Sequence, residues 1–170
     1  MEDERKSFAG YIRNFIFGVE DSLVSTVGLL SGIAVAGVSG STILLTGVVL
    51  IFVEAFSMAA GSFLSERSAD EYIEQGDAPG RKSAVSAVIM FLSYFISGFI
   101  PLAPYLVLPV NVALKISIFL SLTFLFLLGA VSAKISQVSI RQRGLRMLII
   151  GGSAIGVGII AAQISRVMQI

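Results

Sequence analysis

Five long stretches of the chain are almost entirely apolar, and shorter polar segments separate them. They run from about 11 to 36, 42 to 65, 84 to 108, 113 to 133 and 145 to 165. A helix needs about 20 mostly apolar residues to cross the hydrocarbon core of a bilayer. The pattern therefore predicts an all-α polytopic membrane protein, with five transmembrane helices in one transmembrane domain over 1–170.

The polar segments indicate how these helices are connected. Residues 37–41 are glycine and serine with one valine, which predicts a tight turn and an antiparallel pair of first and second helices. Residues 66–83 are predicted to form a short cytosolic loop, and 134–144 a basic one. The N-terminus begins with acidic residues and has no short apolar run before a small-residue cleavage site, so we do not expect a signal peptide.

The basic residues predict the orientation in the membrane. With five spans, ten of the 12 Lys and Arg residues fall on one side, and Lys115 and Arg166 fall on the other. Cytosolic loops carry an excess of Lys and Arg. We therefore expect the N-terminus in the cytosol and the C-terminus outside the cell or in an organelle lumen.

Composition agrees with this and excludes several functions. The chain is 55% hydrophobic and 14% charged, with mean hydropathy +0.91, whereas soluble domains are about 25% charged. Cys and His are absent, which excludes disulfides, cysteine zinc sites and the commonest general base. A net charge of +1 gives no field that favours nucleic acid. With no nucleotide-binding loop either, we expect neither an enzyme nor a bound cofactor.

Three of the 11 acidic residues lie inside predicted spans: Glu20, Asp21 and Glu54. A carboxylate within the membrane costs a few kcal/mol or more, so its default interpretation is functional. Asp21 lies about 15 Å into the first helix, and Glu54 lies about 18 Å into the second from the opposite side. In a core about 30 Å thick, the two are predicted to be neighbours near the midplane.

The residues around these acids suit a divalent cation. Met58 and Ser62 continue the helix face of Glu54, and Ser25 shares a face with Asp21. Carboxylates with one thioether fit a borderline ion such as Fe²⁺, Mn²⁺ or Co²⁺. We predict Asp21, Glu54 and Met58 as metal ligands, with Glu20 assisting, and the two serines as pathway lining.

Plainer interpretations stay open for these residues. Glu54 and Glu20 could be protonated acids bonded within the bundle, and Met58 could simply fill space between helices. Small residues also recur in the spans. Those in the last helix suit ordinary helix packing, whereas we expect Gly28 and Gly32 of the first helix to form a helix contact that also helps to build the site.

A mechanism follows from shared ligands, because metal and protons compete for the same carboxylate oxygens. Metal binding to Asp21 and Glu54 would release protons, and protonation would expel the metal. This predicts proton antiport, with Asp21, Glu54 and Glu20 coupling the protons. The alternatives are a passive divalent-cation channel and a membrane scaffold that transports nothing.

Four segments resemble signatures of the vacuolar iron transporter family. They are FGVEDSLVST at 17–26, SMAAG at 57–61, GFIPLAPY at 98–105 and GLRM at 144–147. The resemblance implies a homodimeric five-helix antiporter that moves Fe²⁺ or Mn²⁺ out of the cytosol along the dimer interface. It also implies that Asp21 and Met58 are membrane-embedded metal ligands.

The chain departs from the family pattern at several positions. Glu20 stands where typical members have Asn, Glu54 often where they have a small residue, and Ser62 where a Glu is common. Residues 66–83 are too few for the inserted cytosolic metal-binding domain of plant-type members, which favours a prokaryotic cell membrane over a vacuole.

That short segment still carries acidic residues at helical spacing, namely Glu66, Asp70 and Glu74. They form either a solvated helix end or a cation-gathering entrance.

Overall fold

The computed structural model describes residues 2–77 and 80–168, and its regular structure is entirely helical over these ranges. The six helices are α1 (Glu2–Val35), α2 (Gly40–Glu74), α3 (Arg81–Leu102), α4 (Pro104–Val107), α5 (Val110–Ile135) and α6 (Ile140–Val167). All except α4 are long and apolar enough to cross a membrane. The predicted all-α bundle with five spanning helices is confirmed.

Short connections make successive long helices run in opposite directions. α1 ends at Val35, and the turn that follows contains Gly37, whose φ of 80° is readily adopted only by glycine; Val38 N–H closes this turn by donating to Ile33 O at 3.3 Å. Ser39 then caps α2 by accepting a hydrogen bond from Thr42 N–H. This produces the antiparallel pair that the glycine- and serine-rich segment predicts.

Because successive helices alternate in direction, most of the basic residues lie at one end of the bundle, which we call the basic end. Arg13 in α1, Arg67 in α2, Lys82 in α3, Lys134 in α5 and Arg143 in α6 all belong to it. Contacts between helices agree, because Arg13 pairs with Glu66 at 3.4 Å and Arg143 donates to Ser132 O at 3.4 Å.

α1 is the central helix and packs against α2, α3, α5 and α6. Its Gly28 and Gly32 lie against Ala154 and Gly158 of α6, where a Cβ on Gly32 would come within 2.6 Å of Gly158 O. The expected helix contact of these glycines is therefore present and is made with α6, while their part in building the site stays a prediction. They are the close contact between the first and last helices, because only glycine lets two backbones approach so closely.

Several helix boundaries differ from the predicted ones: α1 begins at Glu2 instead of about 11, α6 begins at Ile140 instead of about 145, and two further differences have a local cause. α2 continues to Glu74, well past the predicted end near 65, and there an ion pair of 2.7 Å joins Arg67 to Glu71 one turn later. The third predicted span breaks at Ala103, because Pro104 has no N–H with which to continue the helix. The chain then makes the single turn of α4 before α5 begins.

Candidate metal and proton site

Asp21 and Glu54 lie at the same level on neighbouring antiparallel helices. Asp21 stands about 21 Å before the end of α1 at Val35, and Glu54 about 21 Å after the start of α2 at Gly40. Their carboxylates are close enough for direct charge repulsion. The structure thus brings together the two acids that the depth argument predicts as neighbours.

Tyr94 of α3 completes this cluster, and sequence reasoning missed it. The residue is fully buried, and its hydroxyl lies 2.7 Å from Ser25 Oγ of α1. The same hydroxyl interacts electrostatically with both Asp21 and Glu54. A tyrosine within an apolar span could have signalled this, since a buried phenol needs a polar partner.

A hydrogen bond to the backbone holds Tyr94 in register with α1. Ser22 Oγ donates to Tyr94 O at 2.7 Å. Gly98 makes the close packing of α1, α2 and α3 possible, because a Cβ there would lie 2.8 Å from Ile51 and 2.9 Å from Ser22 Oγ. The three helices that carry Asp21, Glu54 and Tyr94 are therefore fixed relative to one another at this level.

Met58 and Ser62 line a cavity of about 720 Å³ between α1, α2 and α3, towards the basic end. Asn14, Met90 and Arg13 also line it. Ser62 is 8% exposed, and its Oγ has no hydrogen-bond partner within the described part of the chain. Met58 lies one turn from Glu54 on the same helix, so the cavity leads from the basic end towards the acidic pair.

Glu20 lies on another side of α1. It lines a second cavity of about 470 Å³ with Arg13, Ser132 and Arg143. Its carboxylate interacts electrostatically with both Asp21 and Arg143. The four residues predicted as metal ligands therefore divide between two cavities or levels around α1, with Asp21 and Glu54 as the pair that interacts electrostatically.

Across residues 2–77 and 80–168, no three Asp or Glu side chains come close enough to hold one metal ion together. One chain therefore offers two carboxylates at the Asp21 level, with neutral oxygen and thioether donors nearby. Two like charges in a poorly hydrated place are stable only when a proton or a cation neutralises one of them. The arrangement suits reversible exchange between these two occupants.

The acidic residues at the end of α2 behave differently from one another. Glu66 is only 19% exposed at its side chain and accepts a 2.7 Å hydrogen bond from Asn14 Nδ2 as well as the pair with Arg13. Asp70 is half-buried, whereas Glu74 is exposed. Glu66 therefore lies beside the Met58 cavity, which Asn14 and Arg13 line, while Glu74 faces solvent.

A bundle of five apolar helices, each long enough to span a bilayer, defines a polytopic membrane protein. Comparison with known families identifies which one: the VIT family profile matches residues 12–78 and 73–163, and this chain belongs to the VIT family. The two matched segments overlap at residues 73–78, around the end of α2.

One similar characterised protein is the vacuolar iron transporter cccA of Arthroderma benhamiae. It is 38% identical over 95 residues, which cover 50% of this chain and 34% of that protein. The match thus spans about a third of the relative's length. The family and this relative support metal transport as the general function.

Proposed function

We propose that this protein exports a divalent transition metal, Fe²⁺ or Mn²⁺, from the cytosol in exchange for protons. The observation that carries the proposal is the electrostatic interaction between the carboxylates of Asp21 and Glu54, which lie at the same level on neighbouring helices. Membership of the VIT family supports metal transport, and this acidic pair supplies a chemical reason for coupling it to protons.

The exchange needs two occupied states of the acidic pair. In one, protons neutralise the carboxylates, and in the other a divalent metal bridges or neighbours them. Metal entering past Met58 and Ser62 would displace the protons, and protons arriving from the far side would expel the metal. The Tyr94 hydroxyl can donate a hydrogen bond to a carboxylate or offer its oxygen to the ion.

We further propose that the basic end faces the cytosol and that the C-terminus lies on the opposite side. Ten of the 12 Lys and Arg residues fall at the basic end in the five-span arrangement. The cavity beside Met58 lies towards this end, so the metal would load from the cytosol. A prokaryotic cell membrane is the proposed location, because the α2–α3 connection is short.

A second copy of the chain would complete the ligand set. The acidic pair alone provides two carboxylates, and the family resemblance implies a homodimer with the pathway along its interface. On α2, Phe52, Val53 and Phe56 flank Glu54 and are 53–71% exposed, which leaves an apolar face for such a partner. The proposed transporter is therefore a dimer with Met58 and Glu54 near the pathway.

Reconstitution into liposomes tests the proposal. With an acidic interior and a pH-sensitive dye inside, Fe²⁺ or Mn²⁺ added outside should enter and raise the internal pH. Metal entry that leaves internal pH unchanged would indicate a passive channel. No entry of either metal, from correctly folded protein, would contradict transport and favour a scaffold.

A further inference from the structure

Two buried polar side chains line the Met58 cavity with oxygens that have no partner in the described part of the chain. Asn14 of α1 is 4% exposed, and it must turn Nδ2 towards Glu66, because a carboxylate only accepts. Its Oδ1 is thereby left without a hydrogen bond from the described residues. Ser62 of α2 is 8% exposed, and its Oγ is also unpaired there. Buried oxygens are seldom left in this condition, so the two indicate a ligand in the cavity.

Glu66 offers a carboxylate oxygen at the end of this cavity nearest the basic end. Its bonds from Asn14, at 2.7 Å, and from Arg13, at 3.4 Å, both end on Oε1. Over residues 2–77 and 80–168, Oε2 accepts no hydrogen bond. The carboxylate can therefore bind a cation while it keeps its bond to Asn14. Ser65, which is exposed and lines the cavity, adds a hydroxyl beside it.

Possible ligands recur at every turn of α2 between Glu66 and the acidic pair. Glu66, Ser62, Met58 and Glu54 are spaced four residues apart, so about 6 Å of helix rise separates each from the next. Ser62 and Met58 line the cavity, and Glu54 interacts with Asp21. A cation at Glu66 would therefore be about three helical turns from the acidic pair, with a donor atom at each turn between them.

Arg13 already places a positive charge at the Glu66 carboxylate. Its guanidinium lies 3.4 Å from Oε1, and its side chain is 70% exposed. Exposed ion pairs contribute little free energy, so a divalent cation can replace the guanidinium at small cost. Arg13 also lines the neighbouring cavity between α1, α5 and α6, which gives its side chain space to move into.

We propose that Glu66, Asn14 and Ser62 form an entry site for a partly hydrated divalent cation, and that Arg13 is a tethered cation which the metal displaces from Glu66. The inference rests on the proposed function, because it concerns the ion that loads from the basic end. These donors are all oxygens, which suit hard ions as well as borderline ones. The entry site therefore accepts Mg²⁺ as well as Mn²⁺, and discrimination between metals falls to the thioether of Met58.

Mn²⁺ binding to detergent-solubilised protein tests the entry site without any transport. The double variant Asp21→Asn/Glu54→Gln lacks both carboxylates of the acidic pair, so Mn²⁺ that still binds must use another site. The EPR signal of free Mn²⁺ falls as the ion binds, which gives the number of sites and their affinity. We expect one Mn²⁺ per chain, displaced by Mg²⁺. Absence of Mn²⁺ binding to the double variant would overturn the entry site.

Glu66→Gln in the same background locates the bound ion. The amide keeps a carbonyl oxygen for Asn14 but removes the charge, so the affinity for Mn²⁺ should fall at least about tenfold. Glu74→Gln makes the same change at an exposed carboxylate of α2 and should leave binding unchanged. Equal losses in the two variants would show general charge attraction and would overturn the site.

Arg13→Gln tests the displaced cation. Its removal should raise the affinity for Mn²⁺ about two- to fivefold, which is the effect of one exposed ion pair. The gain depends on Glu66 and should vanish when Glu66→Gln is added. Arg81→Gln removes a charge from an exposed residue at the same end and should give no gain. A gain that persists without Glu66, or an equal gain from Arg81→Gln, would overturn the role of Arg13.

These measurements separate the entry site from the proposed function. Mn²⁺ bound at Glu66 by a protein that moves no metal in liposomes would support the entry site and contradict metal export. Proton-coupled uptake by a protein whose double variant binds no Mn²⁺ would support export and refute the entry site.

Discussion

The hydroxyl of Tyr94 on α3 lies 2.7 Å from Ser25 Oγ on α1, and it interacts electrostatically with both Asp21 and Glu54. This contact connects a third helix to the acidic pair. Changes in protonation or metal occupancy at the pair would therefore alter the strength of the hydrogen bond between Ser25 and Tyr94, which joins α1 to α3. The contact makes Tyr94 a candidate for positioning the ion as well as for packing.

Tyr94→Phe should leave the fold intact but weaken the site. The ring still fills its buried position, while Ser25 loses a hydrogen-bond partner, which costs about 1 kcal/mol of stability. We expect metal uptake in liposomes to fall about tenfold, because a buried hydroxyl that interacts electrostatically with both carboxylates is lost. Tyr72→Phe is the matched control, since Tyr72 is 87% exposed. Unchanged uptake by Tyr94→Phe would assign the residue to packing alone.

Gly32→Leu should separate α1 from α6. A Cβ at this position would lie 2.6 Å from Gly158 O, and backbone cannot move aside as a side chain can. Overpacking of this kind costs about 1–3 kcal/mol, which thermal unfolding in detergent would measure. The same substitution at Gly152, which is exposed on the outer side of α6, meets no other atom and should have little effect. Equal destabilisation by both variants would argue against the close α1–α6 contact.

Hydrophobic patterning was sufficient to predict this bundle because each span must satisfy its own backbone within the membrane. It could not predict the end of α2, where the apolar signal stops at about 65 but the pairing of Arg67 with Glu71 favours further helix. Nor could it find the break before Pro104, since 101–108 reads as a continuous apolar stretch. Both differences depend on single residues, whose effects are lost when hydropathy is averaged over a long stretch.

The acidic pair could be predicted because a loop as short as 37–41 leaves antiparallel helices only one way to align. The sequence could not predict which side chains a third helix would bring to this pair. Tyr94 joins the pair only through the parallel packing of α1 and α3, which the sequence does not encode locally. Glu20 shows a second limit. Adjacent residues on a helix point in different directions, and only the structure shows that Glu20 lines the same cavity as Arg143.

Glu66→Ala should distinguish the two interpretations of the acidic residues at the end of α2. The change leaves the buried amide of Asn14 without its 2.7 Å acceptor, so we expect a loss of about 1–3 kcal/mol in stability. If this end also gathers cations, uptake at low metal concentration should fall too. Glu74→Ala removes an exposed carboxylate and should change neither quantity. Equal effects of the two variants would indicate a general charge effect instead.

Met58→Leu should change metal preference more than it changes stability. Leucine keeps volume and apolarity but removes the thioether, and swaps of this kind usually cost under about 1.5 kcal/mol. Borderline Fe²⁺ benefits from sulfur more than harder Mn²⁺ does. Competition between the two metals in the uptake assay should therefore shift towards Mn²⁺. Met168→Leu, at a residue 62% exposed, is the control; an unshifted ratio in Met58→Leu would remove Met58 from the ligand set.

The most direct test of the account is metal-driven proton movement in Asp21→Asn, with internal pH recorded beside metal entry. Asp77→Asn makes the same chemical change at a side chain 93% exposed and serves as the control. We expect Asp77→Asn to behave as the unmodified protein, and Asp21→Asn to lose both metal entry and the pH change. Undiminished, proton-coupled uptake by Asp21→Asn would contradict the claim that the Asp21–Glu54 pair holds the transported ion.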